Sequence, residues 1–420
     1  MEIKQTMGGK STILQIFFIQ LVIMTIKSSV SLKLSNDVDV QELSSAVSLF
    51  SQDMYWNLAN KSDNVLFSPL GIHAALSMTY LGARNETRDV MEKALEIIDI
   101  PDPHSAYNDL LQDLKDVIDV KILLSNGLWV NPASSLLQQY KKNVLTLYEA
   151  TIEDIDFSFP EGPEASINKW LWYKTGINTS SMFTNGYIHR NTSLILINTF
   201  IFIAKWQYPF PKEMTKKRMF TKLNGIPVAT EFMSYSSIYA LKLNAVKNVD
   251  VIRVPFEYEG FGLYIALPRS SKGLHELESI ITNENFDVHD LFANLRMTSV
   301  HLSMPKFNLT ATLNFNLALS SLGMSEAFTN TSNFSGMSNT RLRLSDVVQK
   351  TTVQFSESYM TTPSFFNTNI SIPVNNSSAL GDVNFIANHS FLYFLRDDIN
   401  DLILLQGKYS DPEIQEIIVK

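Results

Sequence analysis

The sequence predicts an α+β fold, and three observations support this class. Helical patterns come first, within residues 41–82, and the clearest strand patterns follow between residues 194 and 395. Helices and strands do not alternate regularly, as they would in a parallel βαβ sheet, and no internal repeat occurs. The chain has 420 residues, of which 45% are hydrophobic, so it can bury a large core.

The two helical patterns lie at 41–58 and 69–82. In the first, apolar residues recur at three- and four-residue spacings, which indicates an amphipathic helix. These residues are Leu43, Ala46, Val47, Phe50 and Met54. The second pattern begins at Pro69, with Ser68 as the N-cap, and is apolar almost all round. It therefore predicts a buried helix.

Later segments are rich in β-branched and aromatic residues and predict buried strands. They are 194–203, 251–255, 261–267 and 391–395. A polar, turn-forming stretch from Ser358 to Asn384 interrupts this pattern. A structureless segment of more than about 15 residues inside a domain is usually functional or a linker, and too little chain follows this one for another domain. We therefore expect it to carry function.

Charge and composition exclude several kinds of site. The formal net charge of −8 gives no overall positive field, so we expect no nucleic-acid partner. The absence of cysteine excludes disulfides, thiolate nucleophiles and cysteine-ligated zinc. The histidines form no close metal-ligand pair, and neither GxSxG nor HExxH occurs, so we expect no metal, no cofactor and no enzymatic activity. His73, on the second helical pattern, is interpreted as a hydrogen-bonded core residue.

Residues 1–31 are predicted to be a cleaved signal peptide. Lys4 and Lys10 precede the apolar run 13–24, and small residues stand at the cleavage positions. The run is shorter than the about 20 residues that span a bilayer. We therefore expect a secreted, extracellular protein with one domain, 32–420. The alternative is an uncleaved single-span anchor.

In a secreted chain, Asn-x-Ser/Thr triplets can accept glycans. Eleven occur, at Asn60, Asn85, Asn178, Asn191, Asn308, Asn330, Asn333, Asn369, Asn375, Asn376 and Asn388. The triplet is short and its residues are common here, so several matches are expected to arise by chance and to stay unoccupied.

Four blocks in the sequence resemble blocks of the serpin family. The most specific is INTFIFIAKWQYPF at residues 197–210. The second block spans residues 64–87 and begins with NVLFSPLGIH. The third is VHLSMPKF at 300–307, which is followed by Leu322-Gly323-Met324 and Phe334-Ser335-Gly336. The last spans 391–412 and begins with FLYFLRD. Their order and spacing agree with the family from about residue 40 onward, so the chain is identified as a member of it.

The resemblance implies an α+β serpin fold of three β-sheets and about nine helices, with an exposed reactive loop at about 358–388. In inhibitory members a serine protease cleaves this loop and is trapped as an acyl-enzyme when the loop inserts into the large sheet. The protein would then be a suicide substrate without catalytic groups of its own. We expect a monomer whose partner is an extracellular serine protease. A non-inhibitory carrier or binding protein is the alternative.

The hinge that would enter the sheet departs from the family pattern. By resemblance it comprises Glu357, Ser358, Tyr359, Met360, Thr361, Thr362 and Pro363. Tyr359 replaces a glycine, Met360 replaces a small residue, and Pro363 has no N–H to give in a central strand. Overpacking costs about 1–3 kcal/mol per site, so we predict weak or absent trapping. The alternative is that this hinge still inserts.

The length of the loop leaves two positions for the scissile bond. Counting back from Phe391 places it at Ala379-Leu380, whereas counting forward from Glu357 places it near Pro373-Val374. The backward count is preferred because the strand after the bond has a constrained length. Alanine before the bond suits an elastase-like protease with a small pocket.

The resemblance also implies roles within the sheet. Ser68, Asn198 and Gln349 are expected to form the polar cluster that controls sheet opening. Gln349 replaces the usual histidine, but its amide offers both a donor and an acceptor. Gly71 replaces a serine of this cluster. Trp206 is expected at the breach, where the loop enters the sheet.

Heparin binding through the family's basic helix is not expected. Residues 92–119 carry eight acidic residues against only Lys93 and Lys115. The basic residues between 212 and 222 are interpreted as a solvated loop.

Overall fold

The computed structural model describes residues 38–176, 181–361 and 383–419, so the predicted signal peptide, 1–31, lies outside the described residues. No helix within these ranges is long and apolar enough to cross a membrane. The ranges contain eight α-helices: α1 Val38–Ala59, α2 Pro69–Tyr80, α3 Asn85–Ala94, α4 Pro103–Lys115, α5 Gln138–Tyr148, α6 Pro163–Thr175, α7 Leu274–Ile281 and α8 Asn316–Ser321.

The strands of the described residues form two hydrogen-bonded sheets. They are β1 Val65–Phe67, β2 Val120–Val130, β3 Thr151–Asp154, β4 Leu194–Lys205, β5 Lys216–Thr221, β6 Pro227–Val246, β7 Val249–Pro255, β8 Phe261–Pro268, β9 Arg296–Pro305, β10 Phe307–Asn314, β11 Leu344–Phe355, β12 Tyr359–Thr361, β13 Val383–Ile386, β14 Phe391–Asp397, β15 Leu402–Tyr409 and β16 Glu416–Val419.

The first sheet has seven strands in the order β16-β10-β11-β12-β4-β2-β3. Its strand β4 is buried as far as Ala204, because both faces of the sheet are covered there. One face contributes to the main hydrophobic core, and on the other Ile195 and Ile197 pack with Trp170 of α6. A strand covered on both faces reads as a continuous apolar run, which explains why the sequence predicts β4 so clearly.

The second sheet has nine strands, and the 20-residue strand β6 joins its two wings. The first half of β6 pairs with β5, and β9 runs between β6 and β13. The end of β6 pairs with β7, and the sheet continues through β8, β14 and β15 to β1. If the two wings are counted separately, the fold has the three sheets that the resemblance implies.

The α+β class and the predicted elements are confirmed. The helices predicted at 41–58 and 69–82 are α1 and α2, and the four predicted strands are β4, β7, β8 and β14, each a little longer than predicted. Helix α2 begins as expected at Pro69, and Ser68 Oγ accepts a hydrogen bond of 3.1 Å from the Gly71 N–H. The cap and the rigid proline therefore fix where the chain turns from β1 into α2.

His73 on α2 is a satisfied core residue, as predicted. It is fully buried, and its Nε2–H donates to the carbonyl O of Leu95 at 2.8 Å. Its Nδ1 therefore accepts from the hydroxyl of Tyr107. Burial lowers the pKa of His73 to about 4, so the ring is neutral at physiological pH.

Candidate functional site

Strand β12 separates β11 from β4 at one end of the seven-stranded sheet. Residues 344–351 of β11 pair directly, in parallel, with residues 194–200 of β4. Beyond that stretch, Met360 of β12 pairs with Phe355 on one side and with Ala204 on the other. The start of the predicted hinge is therefore already a strand inside the sheet.

A tight reversal joins β11 to β12. Ser356 closes it, because both its N–H, at 3.1 Å, and its Oγ, at 2.8 Å, donate to the carbonyl O of Tyr359. On the outer side, the N–H of Trp206 donates to the carbonyl O of Ser358 at 3.2 Å. These acceptors are backbone atoms, so the reversal does not depend on the side chains of Tyr359 and Ser358.

Trp206 lies against this reversal and is fully buried. Its indole N–H donates to the carbonyl O of Ser356 at 2.8 Å. Its ring stacks with Phe256 at a centroid distance of 4.9 Å and with Phe355 at 6.2 Å. Trp206 therefore lies directly against the reversal between β11 and β12. Its expected role at the breach stays a prediction.

Glu357 ties the reversal to the neighbouring strands. Its Oε1 accepts from Lys306 Nζ and from Thr215 Oγ1, each at 3.1 Å, and its carbonyl O accepts from the Phe210 N–H at 2.8 Å. Burial by itself raises the pKa of this carboxyl, but hydrogen bonds from its own backbone N–H, Lys306 and Thr215 outweigh burial and hold the pKa below its usual range. Glu357 is therefore ionised at neutral pH.

The side chain of Met360 fits the inner face of the sheet. It is fully buried and belongs to the main core, whereas Tyr359 is half-buried. A flexible, unbranched thioether can fill an irregular space in a core. The overpacking expected at Met360 when the hinge inserts further stays a prediction. The hinge residues Thr362 and Pro363 lie outside the described residues.

Ser68, Asn198 and Gln349 come together within the directly paired part of β11 and β4. Gln349 Oε1 accepts from the Ser68 N–H at 2.8 Å, and its Nε2 donates to Asn198 Oδ1 at 2.6 Å and to the Ser68 carbonyl O at 3.0 Å. Asn198 Nδ2 donates onward to Asn126 Oδ1 of β2 at 2.7 Å. All four residues are buried. An uncharged chain of amides therefore joins the cap of α2 to three strands of the sheet.

Gly71 is part of the same packing. A Cβ at this position would collide with the side-chain amide of Asn198. Gly71 has no side chain, so the hydroxyl expected here from the family is missing. The amide of Asn198 occupies the space that this side chain would take.

Three residues of the site were not predicted. Lys306 and Thr215 hold Glu357, and Asn126 extends the amide chain. Lys306 lies inside the block 300–307, so its position carries a signal in the sequence. Asn126 follows Ser125 within β2, and no pattern singles it out. Nothing in the sequence marks Thr215.

The predicted glycan acceptors fall into three groups. Those with exposed side chains are Asn60, Asn85, Asn191, Asn330 and Asn388. Two are half-buried, Asn333 and Asn308, and the Oδ1 of Asn308 in β10 is fully covered. Outside the described residues lie Asn178, Asn369, Asn375 and Asn376, together with the expected scissile bond Ala379-Leu380.

Charged groups elsewhere in the described ranges do not assemble into a metal site, since no three His, Asp or Glu residues there could hold a metal ion. The basic residues between 212 and 222 are mostly exposed on β5 and the turn before it. Lys222 is the exception, because its Nζ lies 2.6 Å from Asp411 Oδ2 and 2.9 Å from Glu413 Oε2.

Comparisons with known proteins agree on one family. The model described as "Serpin (serine protease inhibitor)" matches residues 45–412. The leukocyte elastase inhibitor of Xenopus laevis is 28% identical over 386 residues, which cover 89% of this chain and 100% of the relative. Serpin48 of the insect Tenebrio molitor superimposes with a TM-score of 0.78 at 25% identity over 88% of this chain and 98% of its own. Human thyroxine-binding globulin complexed with its hormone superimposes with a TM-score of 0.79 at 21% identity, over 89% of this chain and 100% of its own.

Replacing Lys306 by methionine should loosen the hinge. The carboxylate of Glu357 would stay largely buried without its cation, and losing a hydrogen bond to a charged group costs about 1.5–3 kcal/mol. We expect a lower free energy of unfolding and faster hydrogen exchange at residues 356–361. Because the pKa of Glu357 is lowered by folding, its contribution should be present at neutral pH and lost as the pH falls through the folded pKa.

The control for this variant is Lys247→Met, which breaks an exposed ion pair with Glu276. Exposed pairs contribute about 0–1 kcal/mol, so this change should leave exchange at the hinge unaltered. Equal effects of the two substitutions would contradict the role assigned to Lys306.

Replacing Gln349 by histidine should make stability depend on pH. A buried histidine without a carboxylate partner has a pKa below its usual value, so the unfolded chain binds more protons and stability falls as the pH drops below about 6.5. Each unit by which the pKa is lowered removes about 1.4 kcal/mol at acid pH. The measurement is the melting temperature between pH 7.5 and 5, relative to wild type. Gln349→Asn is the uncharged control, and parallel pH profiles for the two variants would refute the prediction.

Proposed function

Since the chain belongs to the serpin family, we propose that it is a secreted inhibitor of serine endopeptidases that acts as a suicide substrate through residues 358–388. We further propose that it traps its protease weakly. Cleavage of the loop would supply a free strand, and the protease would escape by hydrolysis whenever insertion of that strand is slow.

The observation that carries this proposal is the position of β12. The first residues of the hinge already pair with β11 on one side and with β4 on the other. Further insertion would extend this strand into the seam, where residues 344–351 now pair directly with β4, and would separate Gln349 from Asn198. This arrangement supports the proposal that the sheet accepts the loop at this position, and the rate at which the strand advances would then decide how well the protease is trapped.

We attribute weak trapping to Pro363 rather than to the bulk of the hinge. Met360 is already accommodated in the core. A central strand donates N–H groups to both neighbours, and proline has none to give. Pro363 follows β12 by two residues, so it would enter the seam almost at once.

For the partner, we propose an extracellular elastase-like protease that cleaves at Ala379-Leu380. A small residue before the bond suits a small specificity pocket. The resemblance to the leukocyte elastase inhibitor of Xenopus laevis supports the same class of protease. Glycans on Asn369, Asn375 or Asn376 would lie near this bond and would hinder docking.

A carrier role is the second candidate, and a cavity of about 630 Å³ favours it. The cavity lies between the segment after β4 and one end of β8 and β14, where Tyr208, Tyr264 and Arg253 contribute to its lining. Thyroxine-binding globulin, which shares the fold, binds its hormone. However, Arg253 Nε is held by Asp398 Oδ2 at 2.8 Å, so this arginine is already neutralised. We therefore place this role second.

The test of weak trapping compares Pro363→Ala with wild type. The chains are incubated with pancreatic elastase, chymotrypsin or trypsin, and we expect most of the wild-type chain to be cleaved. For the variant, we expect a roughly fivefold to tenfold higher fraction of SDS-stable complex. This change corresponds to about 1–1.4 kcal/mol in the partition between insertion and hydrolysis. The cleaved variant should also melt at a higher temperature than cleaved wild type.

Pro160→Ala is the matched control, because this proline lies in an exposed turn before α6 and outside the loop. It should resemble wild type. If wild type traps efficiently, or if Pro363→Ala gains no complex, Pro363 does not limit insertion. A chain that no protease cleaves between residues 362 and 382 would instead favour the carrier role.

Secretion predicts a definite pattern of glycosylation. In a glycosylating host, we expect occupancy among the exposed acceptors Asn60, Asn85, Asn191, Asn330 and Asn388, and an unmodified Asn308, whose amide oxygen is covered within β10. Peptide mapping after endoglycosidase treatment in heavy water detects the conversion of occupied Asn to Asp. Full occupancy of Asn308, or no occupancy at any exposed acceptor, would count against this proposal.

A further inference from the structure

The edge of the seven-stranded sheet is covered by the last strand of the chain. β16 pairs in parallel with β10, with Glu416 opposite Thr310 and Val419 opposite Leu313. The N–H of Thr310 donates to the carbonyl O of Gln415 at 2.9 Å. Without β16, the outward N–H and C=O groups of β10 would be free to pair with another strand.

The segment that leads to β16 is held at several points. Asn64 Oδ1 accepts from the N–H groups of Ser410 and Asp411 at 2.7 and 2.9 Å, and Asn64 Nδ2 donates to the carbonyl O of Asp411 at 2.7 Å. Lys222 forms its ion pairs with Asp411 and Glu413. The chain is therefore fixed up to Glu413, just before the covering strand begins.

By comparison, β16 itself is held by few side chains. Ile417 is 3% exposed and belongs to the main core, whereas Ile418 is 57% exposed. Burial lowers the pKa of Lys350 on β11, and the charge of Glu416 opposes this effect only in part. Val419 is half-buried and also packs against the main core. With only four residues and these two apolar contacts, β16 is a short strand whose release exposes the edge without dismantling the core.

The edge beneath β16 has a sequence that reads the same in both directions. Residues 308–314 are NLTATLN, centred on Ala311, and Phe307 and Phe315 extend the symmetry. If two copies of this strand pair antiparallel about a two-fold axis at Ala311, every residue lies opposite its own kind. Threonine then faces threonine and leucine faces leucine, and no charged residue is brought opposite another.

The hydrogen-bond pattern of β10 fits the same register. The N–H of Thr310 points toward β16, and since these groups alternate along a strand, Asn308, Thr312 and Asn314 present their backbone groups to the same side. In the antiparallel pair, Thr310 lies opposite Thr312 of the second copy and Asn308 opposite Asn314. All outward backbone groups of residues 308–314 therefore find partners, and the two-fold axis closes the assembly at two copies.

We propose that the outer edge of β10 is a self-complementary interface, that β16 covers it in the monomer, and that its partner when β16 is released is a second copy of this chain. The C-terminal strand thus sets the oligomeric state. This proposal is independent of whether the reactive loop traps a protease.

The test is a chain that ends at Gln415, which keeps the contacts of Asp411 and Glu413 but lacks β16. By size-exclusion chromatography with light scattering, we expect the full chain to be a monomer and the shortened chain to be a dimer at micromolar concentration. A synthetic peptide of residues 413–420 should return the shortened chain to the monomer. The same peptide with Ile417→Asp should not.

Substitutions in the full chain provide a second route if the shortened chain does not fold. Ile417→Asp should release β16 and produce the dimer, whereas Ile418→Asp, at an exposed position of the same strand, should not. In the dimer, the amides of Thr310 and Thr312 should remain protected from hydrogen exchange. A shortened chain that stays monomeric, aggregation that the peptide does not reverse, or a dimer with unprotected Thr310 and Thr312 would each overturn the proposal.

Discussion

The seam between β11 and β4 is the contact on which the rest of this structure depends. Two parallel strands pair directly over half their length, and the amide chain from Ser68 through Gln349 and Asn198 fastens this part of the seam to the start of α2. Because these hydrogen bonds are uncharged and buried, water does not compete for them and salt does not weaken them. Any strand that enters between β11 and β4 must break the hydrogen bond between Gln349 and Asn198 on its way.

The end of the seam where β12 lies between β11 and β4 shows what the entry of a strand requires. The N–H and Oγ of Ser356 and the N–H of Trp206 hold the reversal, and the Glu357 carboxylate is satisfied by Lys306 and Thr215. The inserted residue Met360 then only has to fit a pocket in the core. Entry at this end depends on backbone hydrogen bonds, which is why the proposed slow insertion is attributed to the proline that follows and not to the size of a hinge side chain.

The sequence was most informative where side chains are covered on both faces, and least where contacts are distant. The run that becomes β4 is apolar almost throughout, and Glu357 could be located by its resemblance to the glutamate that ends the strand before the family's loop. The burial of Met360 depends on the surrounding core, including Phe355 and Trp206, which no local pattern shows. β16 was missed because four residues are too few for strand periodicity to be recognised, and its partner strand lies about a hundred residues earlier.

The indole of Trp206 also makes the hinge visible to spectroscopy. It is fully enclosed, it stacks with two phenylalanine rings, and its N–H is bonded to the backbone of the reversal itself. Departure of the hinge would change both the polarity around this ring and its hydrogen bond, which shifts tryptophan emission to longer wavelength. Trp206 is one of five tryptophans, so the difference between the emission of the wild type and that of a Trp206→Phe variant would report, in real time and without an attached dye, whether the hinge is seated or withdrawn.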